Sequence, residues 1–250
     1  MEGNDIKHFL ETSETIGKGL GFSHFSPTHI LWLIFFVIAA VTLSLFYKKS
    51  NEKTKKIMRI TVAGLLVADE IFKIVGLIIG GNYLPKYLPL HLCSINIFLI
   101  AIHAFKKSKL LDNFLYAVCM TTSLAALLFP TWTKLPLTNF MHIHSFSVHI
   151  LLALYPLMLT VGGTIKPDPK QIPKCLLLLV GLAIPAYVAN LIFDTNFMFL
   201  TSAGKTNPLY IFKTVFGSHL WGYPIYGTII FTVMYLTPYL WKKLKSKSNT

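Results

Sequence analysis

The chain has 250 residues, of which 54% are hydrophobic and only 13% charged, about half the charged share of an ordinary soluble domain. That composition excludes a soluble globular protein, and no loop is long enough to hold a separate soluble catalytic domain. The net charge of +13 must be read for its distribution before nucleic acid is invoked, because basic residues gather in the loops of a multispanning protein that stay in the cytoplasm.

Residues 1–29 form a polar tail in which Ile6, Phe9, Leu10, Ile16 and Leu20 recur at loosely helical spacing, as suits a segment lying on a membrane surface. No basic segment precedes an early apolar run, so no cleaved signal is expected. Apolar runs near the roughly 20 residues needed to cross a bilayer core then follow at 30–47, 58–82, 87–105, 110–130, 141–162, 174–193 and 222–241. They predict an all-α, polytopic membrane protein of seven transmembrane helices, built as a single integral membrane domain over 1–250.

Sixteen of the 23 basic residues fall in 48–59, 106–109, 163–174 and the C-terminal tail. These are alternate connections. The pattern puts the N-terminus outside and the C-terminus inside, and it accounts for the positive charge by orientation and anionic-lipid contact rather than nucleic acid. Trp132, Tyr83, Tyr87, Trp221, Tyr223 and Tyr226 are expected in the outer aromatic belt, and Tyr47, Tyr239 and Trp241 in the inner one. The connection 194–221 is too aromatic for a solvated linker and is expected to fold back as a lid on the outer face. Pro89, Pro130, Pro156 and Pro185 punctuate the spans, with opening expected in the third and sixth.

Ionisable groups inside spans cost about 2.5–3.5 kcal/mol each on insertion scales, so by default they face the bundle interior and pair or do chemistry. In the second span Asp69 and Glu70 lie four and three residues before Lys73, so both carboxylates can reach the ammonium. The charges fit a packing network, or a role in gating, proton transfer or headgroup binding. The third span carries His91, Cys93 and Asn96; the fifth carries His142, Ser145 and His149 on one face, with His144 pointing elsewhere. The sixth ends in Asn190 and Asp194, followed by Thr195 and Asn196. The predicted topology gathers His91, Cys93, His142, His149, Asn190, Asp194 and Asn196, with His29 and His219, into one histidine-rich cavity in the outer half of the bilayer.

Cys93 is the candidate nucleophile, because a thiol needs only modest activation by a nearby imidazole. His91 is poorly placed to be that base, since residues two apart on a helix point about 200° away from one another. Unless Pro89 distorts the turn, the base is therefore expected from another helix, and His149 is the choice, with His91 facing a separate neighbour or binding substrate. His29, His142, Asn190, Asp194 and Asn196 are the candidate substrate contacts. Cys93, Cys119 and Cys175 suit neither a disulfide framework nor a zinc cluster, and no metal or cofactor is expected. A weaker reading has facing histidines such as His91 and His149 holding haem or a metal. A different class of function uses the same cavity to bind or carry a small solute or lipid headgroup, with Asp69, Glu70 and Lys73 as its coupling network.

At "LPLHLCSINIF" (88–98), with "FSPTHI" (25–30), "SFSVHILLALYPLML" (145–159) and "NLIFDTNFMFL" (190–200), the chain resembles the YwaF-type family of bacterial integral membrane proteins over nearly its whole length. That family is grouped with an animal multispanning family of cysteine-dependent phospholipid acyltransferases, and more distantly with seven-span fatty-ester hydrolases that pair a threonine with a histidine. The resemblance implies an acyl-enzyme on Cys93, base help from His149, membrane glycerophospholipids as partners and acyl donors, and residence in a bacterial cytoplasmic membrane. A single arginine among 23 basic residues fits the lysine-rich usage of an AT-rich bacterium.

Overall fold

Proline at a helix start costs nothing, because its missing N–H would be unpaired there anyway. Helix α1 (Pro27–Lys49) begins in this way and ends in Lys48 and Lys49, which complement the negative end of the helix dipole. Helix α2 (Glu52–Ile79) is capped by Asn51, whose side chain accepts the Thr54 N–H. Pro85 opens a single 3₁₀ turn, and Pro89 disfavours helix for the residue before it. Helix α3 (Leu92–Phe105) therefore starts only after His91, an extended residue at φ −69° and ψ 149°.

A rod follows, made of α4 (Lys109–Phe114), a π-helical turn at Leu115–Cys119 and α5 (Met120–Leu128). Helix α6 (Phe140–Val161) is capped by Asn139 and continues through Pro156. Proline leaves the carbonyl four residues back without its helical donor. Here that carbonyl belongs to Leu152, and the Cys119 thiol donates to it at 3.5 Å, so the π turn and the proline satisfy each other. Helices α7 (Ile172–Phe193), α8 (Tyr210–Phe216) and α9 (Gly222–Ser248) complete the chain.

This computed structural model describes residues 8–204 and 207–248, with side chains in α9 given as far as residue 237. The expected roles of Ile6, Tyr239, Trp241 and the lysines beyond residue 241 lie outside the described side chains. Among the described residues, five segments are long and apolar enough to cross a membrane: Pro27–Lys49, Pro85–Phe105, Lys109–Leu128, Phe140–Val161 and Pro169–Phe193. Helix α2 has the length but carries Arg59, Asp69, Glu70 and Lys73.

The chain forms two compact units, Met1–Ile165 and Lys166–Thr250. In the first, α6 is the hub and packs on α1, α2, α3 and α5. Two thirds of its apolar stretch (67%) is buried, against 17% for α1, whose Leu31, Phe35 and Ile38 stay exposed as a lipid-facing helix requires. The N-terminal tail folds onto one end of this unit. Asn139 donates to the carbonyls of His8 and Glu11, Asn82 donates to Leu10, and the Phe22 N–H meets the Thr133 carbonyl at 2.8 Å. We call this the tail end and the opposite one the lysine end.

Two expected belt residues face inward instead. Tyr47 is fully buried, bonded to Thr164 and Arg59, and Trp132 lies flat on His149. Each is an amphipathic ring whose polar tip can be served inside the bundle as well as at the interface.

In the second unit, the described residues of 194–221 include a 3₁₀ turn, α8 and a second 3₁₀ turn. The Asn190 carboxamide oxygen accepts the Phe197 N–H at 2.6 Å and the Thr195 hydroxyl at 3.0 Å, while its amide donates to the Phe197 carbonyl. Asp194 takes the left-handed conformation at φ 49° that ends α7, and Asn196 bonds Thr201 and Ser202. An apolar groove of about 670 Å³ between α7 and α9 is lined by Leu176, Phe231 and Tyr235, and a smaller cleft of about 550 Å³ by Thr201, Lys213 and His219.

Candidate functional site

The contacts of α2, α3 and α6 fix their register. Phe140 fills the space beside Gly76, where even a Cβ would come within 2.5 Å of the ring. Further along, Asp69 meets Ser147 and His144, so α2 and α6 run antiparallel. His103 on α3 bonds Tyr155 at 2.9 Å near the lysine end, and His91, before the other end of α3, is among the charges that act on His149 toward the tail end. Helices α3 and α6 therefore run parallel. At a common 1.5 Å rise per residue, counting back from the His103 and Tyr155 pair puts Asn96 level with Val148 and Cys93 level with Ser145.

Around that level the polar side chains of the first unit converge. Cys93 lies within the fields of Lys73 and Glu70, and Lys73 also faces His91. The Lys73 ammonium donates to the Glu70 carboxylate at 2.5 Å, with side-chain exposures of only 7% and 6%. Asp69 does not join that pair, contrary to what spacing on α2 suggests. Its carboxylate accepts from Ser147 at 3.1 Å and lies 3.3 Å from His144 Nδ1. Adjacent residues on a helix point about 100° apart, so Asp69 is carried to α6 while Glu70 stays beside Lys73. His144, expected to point elsewhere, is thus part of the cluster.

The break before α3 alters the relation of His91 to Cys93. Because His91 is extended and precedes the helix, Cys93 is the second residue of α3. It sits at the positive end of the dipole beside unpaired backbone N–H groups, which offset part of the cost that burial places on a charged sulfur. His149, on α6, is held by two contacts. Its Nδ1–H donates to the Ser145 carbonyl at 2.6 Å, an assignment forced because a carbonyl can only accept. Its ring stacks on Trp132 at 5.1 Å and 13°. The proton is therefore on Nδ1, and Nε2 is the basic nitrogen.

The other histidines are placed differently. His29 accepts the Phe25 N–H on Nδ1 at 2.9 Å and donates from Nε2 to the Leu127 carbonyl at 2.7 Å. His142 accepts from the Trp32 indole on Nε2 at 3.0 Å and donates from Nδ1 to Leu135 at 3.0 Å. Both are buried in the aromatic knot of Phe22, Trp32 and Phe146. With both nitrogens engaged, they shape the wall beside His149. Asn190, Asp194 and Asn196 belong to the second unit and serve its turns.

Sequence reasoning missed a buried relay near the lysine end. His103 bonds Tyr155 through Nδ1 and Asp112 Oδ1 through Nε2 at 2.8 Å. The sequence hides the pairing because it closes across the three-residue turn, 106–108, from α3 into α4. Among the described residues, no group of three or more His, Cys, Asp or Glu side chains is arranged to hold a metal ion.

Comparison with known proteins gives one match. No curated protein and no solved structure is significantly similar to the chain. Residues 24–241, which include every helix of the cluster just described, match the TMEM164 family, a multispanning membrane family, and the chain belongs to it.

Proposed function

We propose that the protein moves acyl chains between membrane lipids through a thioester on Cys93, with His149 as the general base. The observation that carries this reading is the state of His149: Nδ1 is tied to the Ser145 carbonyl and the ring is pinned by Trp132. Its Nε2 is thereby left as the basic nitrogen, one turn of α6 from the level of Cys93. In the first half-reaction the thiol proton passes to His149 Nε2 while the sulfur attacks an ester carbonyl of a glycerophospholipid. Collapse breaks the ester C–O bond, and the leaving lysolipid alkoxide takes the proton from Nε2. A lysolipid hydroxyl or water then reverses these steps on the thioester. Lys73 and the first turn of α3 offset part of the cost of a buried thiolate, and the exposed apolar faces of the helices suit a substrate arriving from the lipid.

On this reading the chain crosses a bacterial cytoplasmic membrane seven times with its tail end outside, as the lysine distribution favours, and the chemistry lies toward the outer leaflet. His29, His142 and His91 shape or line the acyl site. Purified protein reconstituted with fluorescent phosphatidylethanolamine and a lysolipid tests the proposal. Acyl transfer and a mass shift on Cys93 are expected, both abolished by Cys93→Ala. Undiminished transfer by that variant removes Cys93 as nucleophile.

The buried Asp69 and His144 contact favours a second reading, in which the cluster binds a solute or headgroup and Asp69 carries the coupling proton. It predicts ligand-dependent thermal stabilisation that survives Cys93→Ala and is lost in Asp69→Asn.

A further inference from the structure

Acyl transfer at Cys93 drives a pair of electrons onto the ester carbonyl oxygen, and that oxyanion must be met by N–H donors already in place. Buried polar groups in folded proteins are nearly always hydrogen-bonded, so those left over call for an explanation. Asn96 is fully buried, and among the described residues neither its amide nor its carbonyl oxygen has a partner. It lies one helical turn beyond Cys93, on the same face of α3, and the register places it level with the turn of α6 that carries His149. The Trp132 indole nitrogen is likewise buried and unpartnered, on the ring that stacks against His149.

Two orphan donors thus flank the two residues assigned to the chemistry, one beside each. A leucine at 96 would fill the same space without stranding a polar group, so the asparagine is retained at a cost to stability. The wall histidines show that this region of the fold can saturate polar atoms, since His29 and His142 use both nitrogens.

We propose that Asn96 Nδ2–H and Trp132 Nε1–H form the oxyanion site for the tetrahedral intermediate, an inference that rests on the thioester reading above. As the sulfur–carbon bond forms, the carbonyl π electrons move to oxygen and are held by these two donors. They return to re-form the carbonyl as the ester C–O bond breaks. The substrate class follows from the donors: a neutral ester carbonyl fills the site, with no anionic group required there.

The test compares two reactions of Cys93 that differ only in whether an oxyanion forms. Acylation by a p-nitrophenyl fatty ester passes through a tetrahedral intermediate, and alkylation by iodoacetamide does not. Asn96→Leu is expected to slow acylation about 10²–10³-fold, the effect of losing one oxyanion donor. Alkylation should stay within about twofold and the melting temperature should not fall. Trp132→Phe, which keeps a ring against His149 but not its N–H, should show the same selective loss. Equal slowing of both reactions, or acylation at the parental rate in both variants, overturns the oxyanion assignment and leaves Cys93 as nucleophile intact. Failure of the parent protein to acylate on Cys93 overturns the thioester reading as well.

Discussion

The Lys73 and Glu70 pair can be separated into its structural and chemical contributions by a double-mutant cycle. Each side chain is less than 10% exposed and the two are 2.5 Å apart, so removing one partner leaves the other as an uncompensated buried charge. Such losses cost about 3–5 kcal/mol, whereas replacing both charges by apolar groups of similar volume is often neutral or stabilising. For a chain of this size 1 kcal/mol moves the melting temperature by about 2–4 °C. Lys73→Met and Glu70→Leu should therefore each lower it by about 10 °C in nanodiscs, while the combined variant should recover to within about 2 °C of the parent. Cys93 senses Lys73 and, in the opposite direction, Glu70. The double variant, which removes both charges, should therefore acylate Cys93 near the parental rate, whereas Lys73→Met alone should lose about tenfold, an effect of about 1.4 kcal/mol. A double variant as unstable as the sum of its parts would show that the two charges do not answer one another, and full activity in Lys73→Met would remove Lys73 from the chemistry.

The tail offers two further tests. Burial pushes the Glu14 carboxyl up, but bonds from Lys86, Thr12 and Tyr87 outweigh it and bring it from 4.5 down to about 2. The depressed value means the contact is fully stabilising above pH 4.5 and is lost as the pH falls toward 2. With Glu14 nearly half exposed, solvent screening reduces that contribution to about 1 kcal/mol. Hydrogen exchange of residues 8–20 should therefore accelerate about fivefold in Glu14→Gln at pH 7, and not at all if the tail is held elsewhere. Gly21 passes so close to the next segment that a Cβ would stand 2.0 Å from the Thr133 carbonyl oxygen. Gly21→Ala should free the tail more completely than Glu14→Gln, read by limited proteolysis, and an unchanged cleavage rate would refute the close packing.

Much of the architecture is legible because it is a matter of length and apolarity. Five of the predicted spans coincide with segments long and apolar enough to cross a membrane, and those at 58–82 and 222–241 fall on α2 and α9, which run beyond them to Glu52 and Ser248. What composition cannot carry is direction around a helix and partnership across the bundle. Asp69 and Glu70 are adjacent and chemically alike, yet one serves α6 and the other Lys73. On its own helix His144 points away from the His142 and His149 face, whereas its neighbour is decided by where α2 packs. The start of α3 was readable in part: Pro89 signals a break, and the consequence that Cys93 becomes a first-turn residue follows only when the helix is seen to begin at Leu92. The π turn at Leu115–Cys119 has no proline or glycine to announce it, and its match to the carbonyl freed by Pro156 is a tertiary event.

The same limit explains why histidine-rich sequence alone does not identify a base. His29, His142 and His149 are alike in type, depth and apolar surroundings, and each could have been a ligand, a base or a packing residue. They are distinguished by their second ring nitrogen. A neutral imidazole that accepts on one nitrogen and donates from the other has no lone pair left to take a proton, so abstracting one from a thiol would first require breaking a buried hydrogen bond. His29 and His142 are in that state. His149 donates from Nδ1 alone, and among the described residues its Nε2 takes no hydrogen bond. The bond to Ser145 that fixes the ring thus also fixes the tautomer that a general base needs. His149→Gln should keep the packing against Trp132 but provide no basic nitrogen, so acylation of Cys93 should fall while the melting temperature holds. Loss of both together would return His149 to the company of its saturated neighbours.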